Sequence, residues 1–112
     1  MKPEQRAAFE QELSAAQLCV DSGDPDAGLN HLERAHVIGQ KYVMPHVRAH
    51  WAMLKLEWRR RRPAAVVGQA VRIVLGGIGS AVGVLPDGNT GSSHVSMFKR
   101  MPVEEDLKKL RD

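Results

Sequence analysis

Four of the chain's five histidines fall within HLERAHVIGQKYVMPHVRAHW, positions 31–51. Imidazole nitrogen is a ligand for zinc, copper, nickel or iron, and three imidazoles held rigidly leave a position for water, substrate or a fourth protein group. His46 and His50 are four residues apart, so a helix sets them on one face. Met53 and Glu57 continue that stripe, all four within about 60° around the axis. His36 is the third candidate, expected from a preceding helix. Glu33, three residues earlier, neighbours it on the helix surface. Glu33 or Glu57 is placed to add a ligand or to orient a histidine through its second nitrogen. His31 lies about 140° around the axis from His36, so the two do not share one ion. The candidate ligands are therefore His36, His46, His50 and Glu33, with His31 and Glu57 secondary, and His94 stands apart on a glycine-rich stretch.

No named motif covers this set. The His-Glu-x-x-His of zinc proteases is absent. Glu33-Arg34-Ala35-His36 matches the Glu-x-x-His of carboxylate di-iron bundles, but that site needs a second copy and two further glutamates. The competing reading is structural: histidines at helix borders commonly hydrogen-bond a carbonyl or an acid, and here would stitch two helices together.

The elements that must position these side chains follow from proline, glycine and apolar spacing. Pro3 opens a first helix with Phe9, Leu13, Ala16 and Val20 at helical spacing, ending at Gly23. Asp24 as N-cap and Pro25 at the first position start a second, running to about Gly39. Its Leu32, Ala35 and Gly39 define an apolar face, and Gly28 and Gly39 admit a close neighbour. A short connection, QKYVM, leads to a third helix from Pro45 through Trp58, flanked by Val47, Leu54, Trp51 and Trp58 on one side and by Ala49, Ala52 and Leu56 on the other. Such a connection makes the second and third helices antiparallel, bringing His36 opposite His46 and His50. Arg59 to Arg62 then fall where cations suit a helix C-terminus, with phosphate binding as the sharper alternative. Pro63 starts a fourth helix to about Leu75. GGIGSAVGVLPDGNTGSSHVSMF follows as turn chemistry, expected to lie as an irregular arm over the helices, and Pro102 introduces a short amphipathic end with Val103, Leu107 and Leu110.

The expected fold class is all-α: two tandem helical hairpins (residues 1–85), then an irregular arm and short terminal helix (86–112) packed on the same domain. The hairpins are loosely similar to tetratricopeptide units, but Pro25 and Pro63 are 38 residues apart and the consensus of that repeat is missing.

Totals narrow the functional classes. A chain of 112 residues suffices for one domain. Of its five aromatics, Trp51 and Trp58 sit on the third helix, marking that helix as central. A net charge of +3, with no basic stripe interleaved with aromatics, does not indicate nucleic acid. Cys19 is alone, so a disulfide scaffold or cysteine-rich zinc site is excluded. MKPEQRAAFEQELSAAQ carries acids and glutamines where a secretory leader needs an apolar centre, and cytoplasm is the expected location. Gln69 and Arg72 interrupt the apolar stretch 64–85, leaving Ile73 to Leu85 clean, too short to span a bilayer; a buried helix ending in a glycine-rich bend is expected, and no membrane partner. RIVLGGIGSAVG has the glycines of a dinucleotide loop but lacks the second strand and acidic residue that loop requires.

HLERAH-x-x-GQ, PH-x-x-x-HW-x-ML, GQ-x-x-RI and GNTG together resemble a small uncharacterised bacterial family, a domain of unknown function, over about Asn30 to Leu107. His31, Glu33, His36, His46, His50 and Gly88-Asn89-Thr90-Gly91 match its pattern. The resemblance carries no activity; it implies members often encoded among heavy-metal resistance genes, which favours the metal reading. Two functions are therefore expected to compete: a cytoplasmic helical protein binding zinc, copper, nickel or iron through the histidine cluster, accessory to metal handling or resistance, and a non-catalytic interaction module for a protein partner, its histidines structural. An enzyme using the open metal position would need a substrate pocket that the sequence does not display, and it has no obvious general base other than Glu33 or Glu57.

Overall fold

Each of the first two helices begins where the chain supplies its own start signal. In α1 (Pro3–Asp21) proline occupies the first turn, and the Lys2 amide donates to Gln5 Oε1 at 2.8 Å. In α2 (Pro25–Gly39) the Asp24 side chain accepts from the Ala27 amide at 3.1 Å, satisfying one of the donors a helix start leaves unpaired. The computed structural model describes residues 1–83, 88–96 and 98–111. The anticipated Asp87 turn and the boundary near residue 85 lie outside them.

Residues 40–42 then reverse the chain into α3 (Val43–Arg59), which packs on α2. The helix starts two residues before Pro45, because a proline in the first turn costs no intrahelical bond. It stops at Arg59, and Arg61 takes a left-handed φ of 57° at the corner into α4 (Pro63–Val82). The described helices are completed by α5 (Glu105–Arg111), starting three residues beyond Pro102. All described secondary structure is helical. α1 pairs with α2 and α3 with α4, while α2 and α3 join the two pairs.

Two apolar clusters hold this arrangement. Phe9, Ala35, Val37, Ile38, Ala49 and Leu107 form one, which fastens α5 to α1 and α2; Ala16, Leu32, Met53 and Leu56 form the other. Arg34 reinforces the α5 contact by bridging Glu12, at 3.0 Å, to Glu104 and Asp106. Gly28 and Gly39 admit close neighbours from other elements. A Cβ on Gly39 would stand 2.8 Å from Pro45 Cβ and 3.0 Å from the Phe9 ring.

Three expectations are corrected. The fourth helix does not stop near Leu75 but runs through Gly76, Gly77 and Gly79 to Val82, where Gly83 ends it at φ 77°. Each helical glycine costs about 1 kcal/mol against alanine. Here the missing side chains let α4 close on α3, with the Gly76 Cβ position 3.0 Å from the His46 ring and that of Gly77 3.4 Å from Val47. Nor is α4 buried: only Gln69 and Ser80 of its residues are. By length and composition alone it is long and apolar enough to cross a bilayer. Finally, Trp51 and Trp58 are exposed, so α3 is central through His46, Ala49, His50, Met53, Leu56 and Glu57 rather than through its aromatics.

Candidate metal centre

At 100° per residue, His46 and His50 project from α3 on one line, and the reversal at residues 40–42 sets His36 of α2 against them. The three Nε2 atoms form a small triangle: His36 to His46 2.9 Å, His36 to His50 3.1 Å, His46 to His50 3.1 Å. All three residues are buried, at 1–3% exposure. Among the described residues they form the one group of three or more His, Cys, Asp or Glu side chains close enough to hold an ion.

What faces the other ring nitrogens determines the chemistry. His36 Nδ1 donates to the Asn89 carbonyl at 2.7 Å, which can only accept. His50 Nδ1 meets Gln69 Oε1 at 2.7 Å, and the Gln69 amide is oriented by its Nε2 donating to the Gly91 carbonyl at 3.0 Å. His46 Nδ1 meets Ser80 Oγ, whose own proton goes to the Gln40 carbonyl at 2.8 Å, so the hydroxyl accepts from the ring. Every Nδ1 thus carries its proton, and each neutral imidazole turns an Nε2 lone pair into the triangle.

The rings are also held neutral. Burial first, then the other two imidazoles, keeps His36 well below the ordinary histidine range. Burial and His50 lower His46 to about 4. Burial lowers His50 to about 4 despite its hydrogen bond to Gln69, and the Arg72 guanidinium adds to the effect. Three lone pairs about 3 Å apart, with no proton between them at neutral pH, repel one another. A cation held by the three Nε2 atoms would replace that repulsion with three bonds.

Two glycines shape the cover. Gly91 lies against His36, where a Cβ would stand 2.5–2.8 Å from ring atoms, and its φ of 81° suits glycine. Gly76 brings the α4 backbone close over the rings: a Cβ there would stand 3.0 Å from His46 Cε1 and 3.2 Å from His46 Nε2, tighter than ordinary contact, and 3.6 Å from His50 Nε2. The cover segment is organised by buried Asn89, which donates to the Ser96 and Lys99 carbonyls at 2.7 Å each and accepts from the Gly91 amide at 2.9 Å.

The structure brings together His36, His46 and His50 but leaves the other candidates elsewhere. Glu33 is not in the cluster; it lines a surface recess of about 370 Å³ with Arg34 and Thr90. Glu57, two turns beyond His50, is buried in an ion pair with Arg60 at 3.1 Å. His31 Nδ1 meets Glu12 of α1 at 2.7 Å, and His94 is exposed. The two glutamates fall away for one reason: α4 and the 89–91 segment, not carboxylates, occupy the second nitrogens. Gln69 and Ser80 escaped a reading centred on residues 31–51. Their signal is a polar–small–polar line, Gln69, Gly76 and Ser80, within about 40° on an otherwise apolar helix.

Comparison with known families matches residues 3–110 to "Protein of unknown function (DUF3703)". The chain belongs to DUF3703. The match takes in α1 to α4 and nearly all of α5, so the helices carrying the triad and the Asn89–Gly91 cover all lie inside the DUF3703 region. No curated protein and no solved structure matches the chain.

Proposed function

We propose that this DUF3703 protein binds one transition-metal ion through Nε2 of His36, His46 and His50, as a small helical protein of metal handling or resistance. The observation that carries the reading is the shared orientation of the rings: three Nδ1 protons committed to fixed acceptors, three lone pairs converging in a buried pocket. The triangle has a radius slightly shorter than a metal–imidazole bond of about 2.0–2.1 Å. Nε2 of His36, His46 and His50 would hold the ion, and three histidine ligands would leave a further coordination position for water or another ligand. Zinc, copper, nickel and iron all accept such a donor set. Because no carboxylate of the described residues joins the cluster, a fourth ligand is most simply water or a small anion.

A structural role is the second reading, and one observation favours it: the three Nδ1 bonds tie α2 and α3 to α4 and to the 89–91 segment. Stitching explains the outer nitrogens but not why three inner lone pairs face one another. Metal analysis of protein expressed in medium supplemented with zinc, copper, nickel and iron separates the two. One ion per chain in the wild type, absent from His50→Ala, is the expected result. Wild type and variant equally metal-free would leave the structural reading.

A further inference from the structure

The outer face of α4 is uncovered. Val67, Val71, Val74, Leu75, Ile78 and Val82 are 46–67% exposed and lie within an arc of about 100°. Opposite them, Gln69, Gly76 and Ser80 face the histidines. We propose that this outer face is the interface of an antiparallel homodimer formed by α4 against α4 of a second copy.

Three observations select that occupant. The intervals along Val67, Val71, Val74, Ile78 and Val82 are four, three, four and four, the near-heptad spacing of a helix–helix seam. The six side chains present on the order of 500 Å² of apolar surface per copy, so two copies bury on the order of 1,000 Å², the lower bound for a specific interface. Charge then sets direction. Arg61 and Arg62 are exposed at the N-terminal end of α4, and a parallel pair would set the two arginine groups side by side. An antiparallel pair separates them by roughly 30 Å and brings each to the carbonyl end of the other α4, where cations are favourable. A recess of about 640 Å³ continues the stripe past Val67 to Trp58 and Pro63, placed to receive the far end of the opposing helix.

A lipid surface fits less well. Helices lying in a bilayer interface carry Lys and Arg along their polar face. The one charged residue of α4, Arg72, instead turns inward, donating to the Gly68 carbonyl at 3.1 Å and the Val95 carbonyl at 2.6 Å.

Sedimentation velocity on the full chain tests the proposal. The expected species has twice the 12.4 kDa chain mass at micromolar concentration, and Val74→Lys, an exposed position, converts it to a folded monomer. In a Cys19→Ser background, Val74→Cys near the two-fold axis is expected to cross-link with itself under mild oxidation. Val67→Cys is expected to cross-link only when mixed with Val82→Cys. A wild-type monomer at 100 µM overturns the proposal, as does a dimer indifferent to Val74→Lys or a Val67→Cys self-cross-link. A monomer that instead sediments with anionic phospholipid vesicles through Val74 assigns the face to membrane.

Discussion

Lowering the pH of the metal-free protein should unfold it far sooner than carboxylate titration would. His46 and His50 have folded pKa values of about 4 against an ordinary 6.5. The unfolded chain therefore binds their protons better than the folded one. The stability that neutral rings contribute is complete above pH 6.5 and drains as pH falls toward 4. Each pH unit in that window costs about 1.4 kcal/mol per ring. Between pH 7 and pH 5 the two rings together lose on the order of 4 kcal/mol, and His36, its pKa also lowered by burial, adds to the loss. That is a large share of the 5–15 kcal/mol typical of a whole domain. For a chain of this size it corresponds to a fall in melting temperature of roughly 20 °C. Thermal melts followed by circular dichroism in chelator at pH 7, 6 and 5 measure it, in a range where ordinary carboxylates stay ionised. On the proposed function, saturating metal would bind the folded triangle and should recover most of the loss at pH 6. A melting temperature that moves by less than about 5 °C between pH 7 and 5 would refute the claim that all three rings are buried and neutral.

Three further outcomes follow from the same contacts. Gly91→Ala forces a Cβ to within 2.5–2.8 Å of His36 at a φ of 81°, and should cost roughly 2–4 kcal/mol in urea denaturation while abolishing stoichiometric metal. Gln69→Leu leaves His50 Nδ1 and the Gly91 carbonyl without their partner and should weaken metal affinity about 10- to 100-fold by competition titration. Arg34→Ala removes the bridge from Glu12 to Glu104 and Asp106, should cost about 1 kcal/mol, and should show chiefly as faster amide exchange in residues 105–111 with the histidine region unchanged.

Local periodicity shows which faces carry the rings. The i, i+4 spacing of His46 and His50, and the short connection that folds α2 back on α3, suffice to bring His36 opposite them before any coordinates are known. Periodicity does not show which nitrogen of each ring is protonated. The acceptors that settle it lie 53 residues from His36, 34 from His46 and 19 from His50. Two of them sit on α4, whose length is obscured by Gly76, Gly77 and Gly79: read singly these are helix breakers, yet Gly76 and Gly77 are where α4 approaches α3. Glu33 illustrates the opposite error, a carboxylate well placed along its own helix but excluded from the triangle because Asn89 and Gly91 already occupy the space beside His36. The choice between a metal centre and a polar seam therefore turns on residues outside the histidine stretch. Were the Nδ1 partners donors instead of acceptors, the Nε2 protons would point inward and leave no position for an ion. On the proposed reading, Gln69, Ser80 and the Asn89 carbonyl are the groups that would make the three rings ligands, by holding each Nδ1 proton outward.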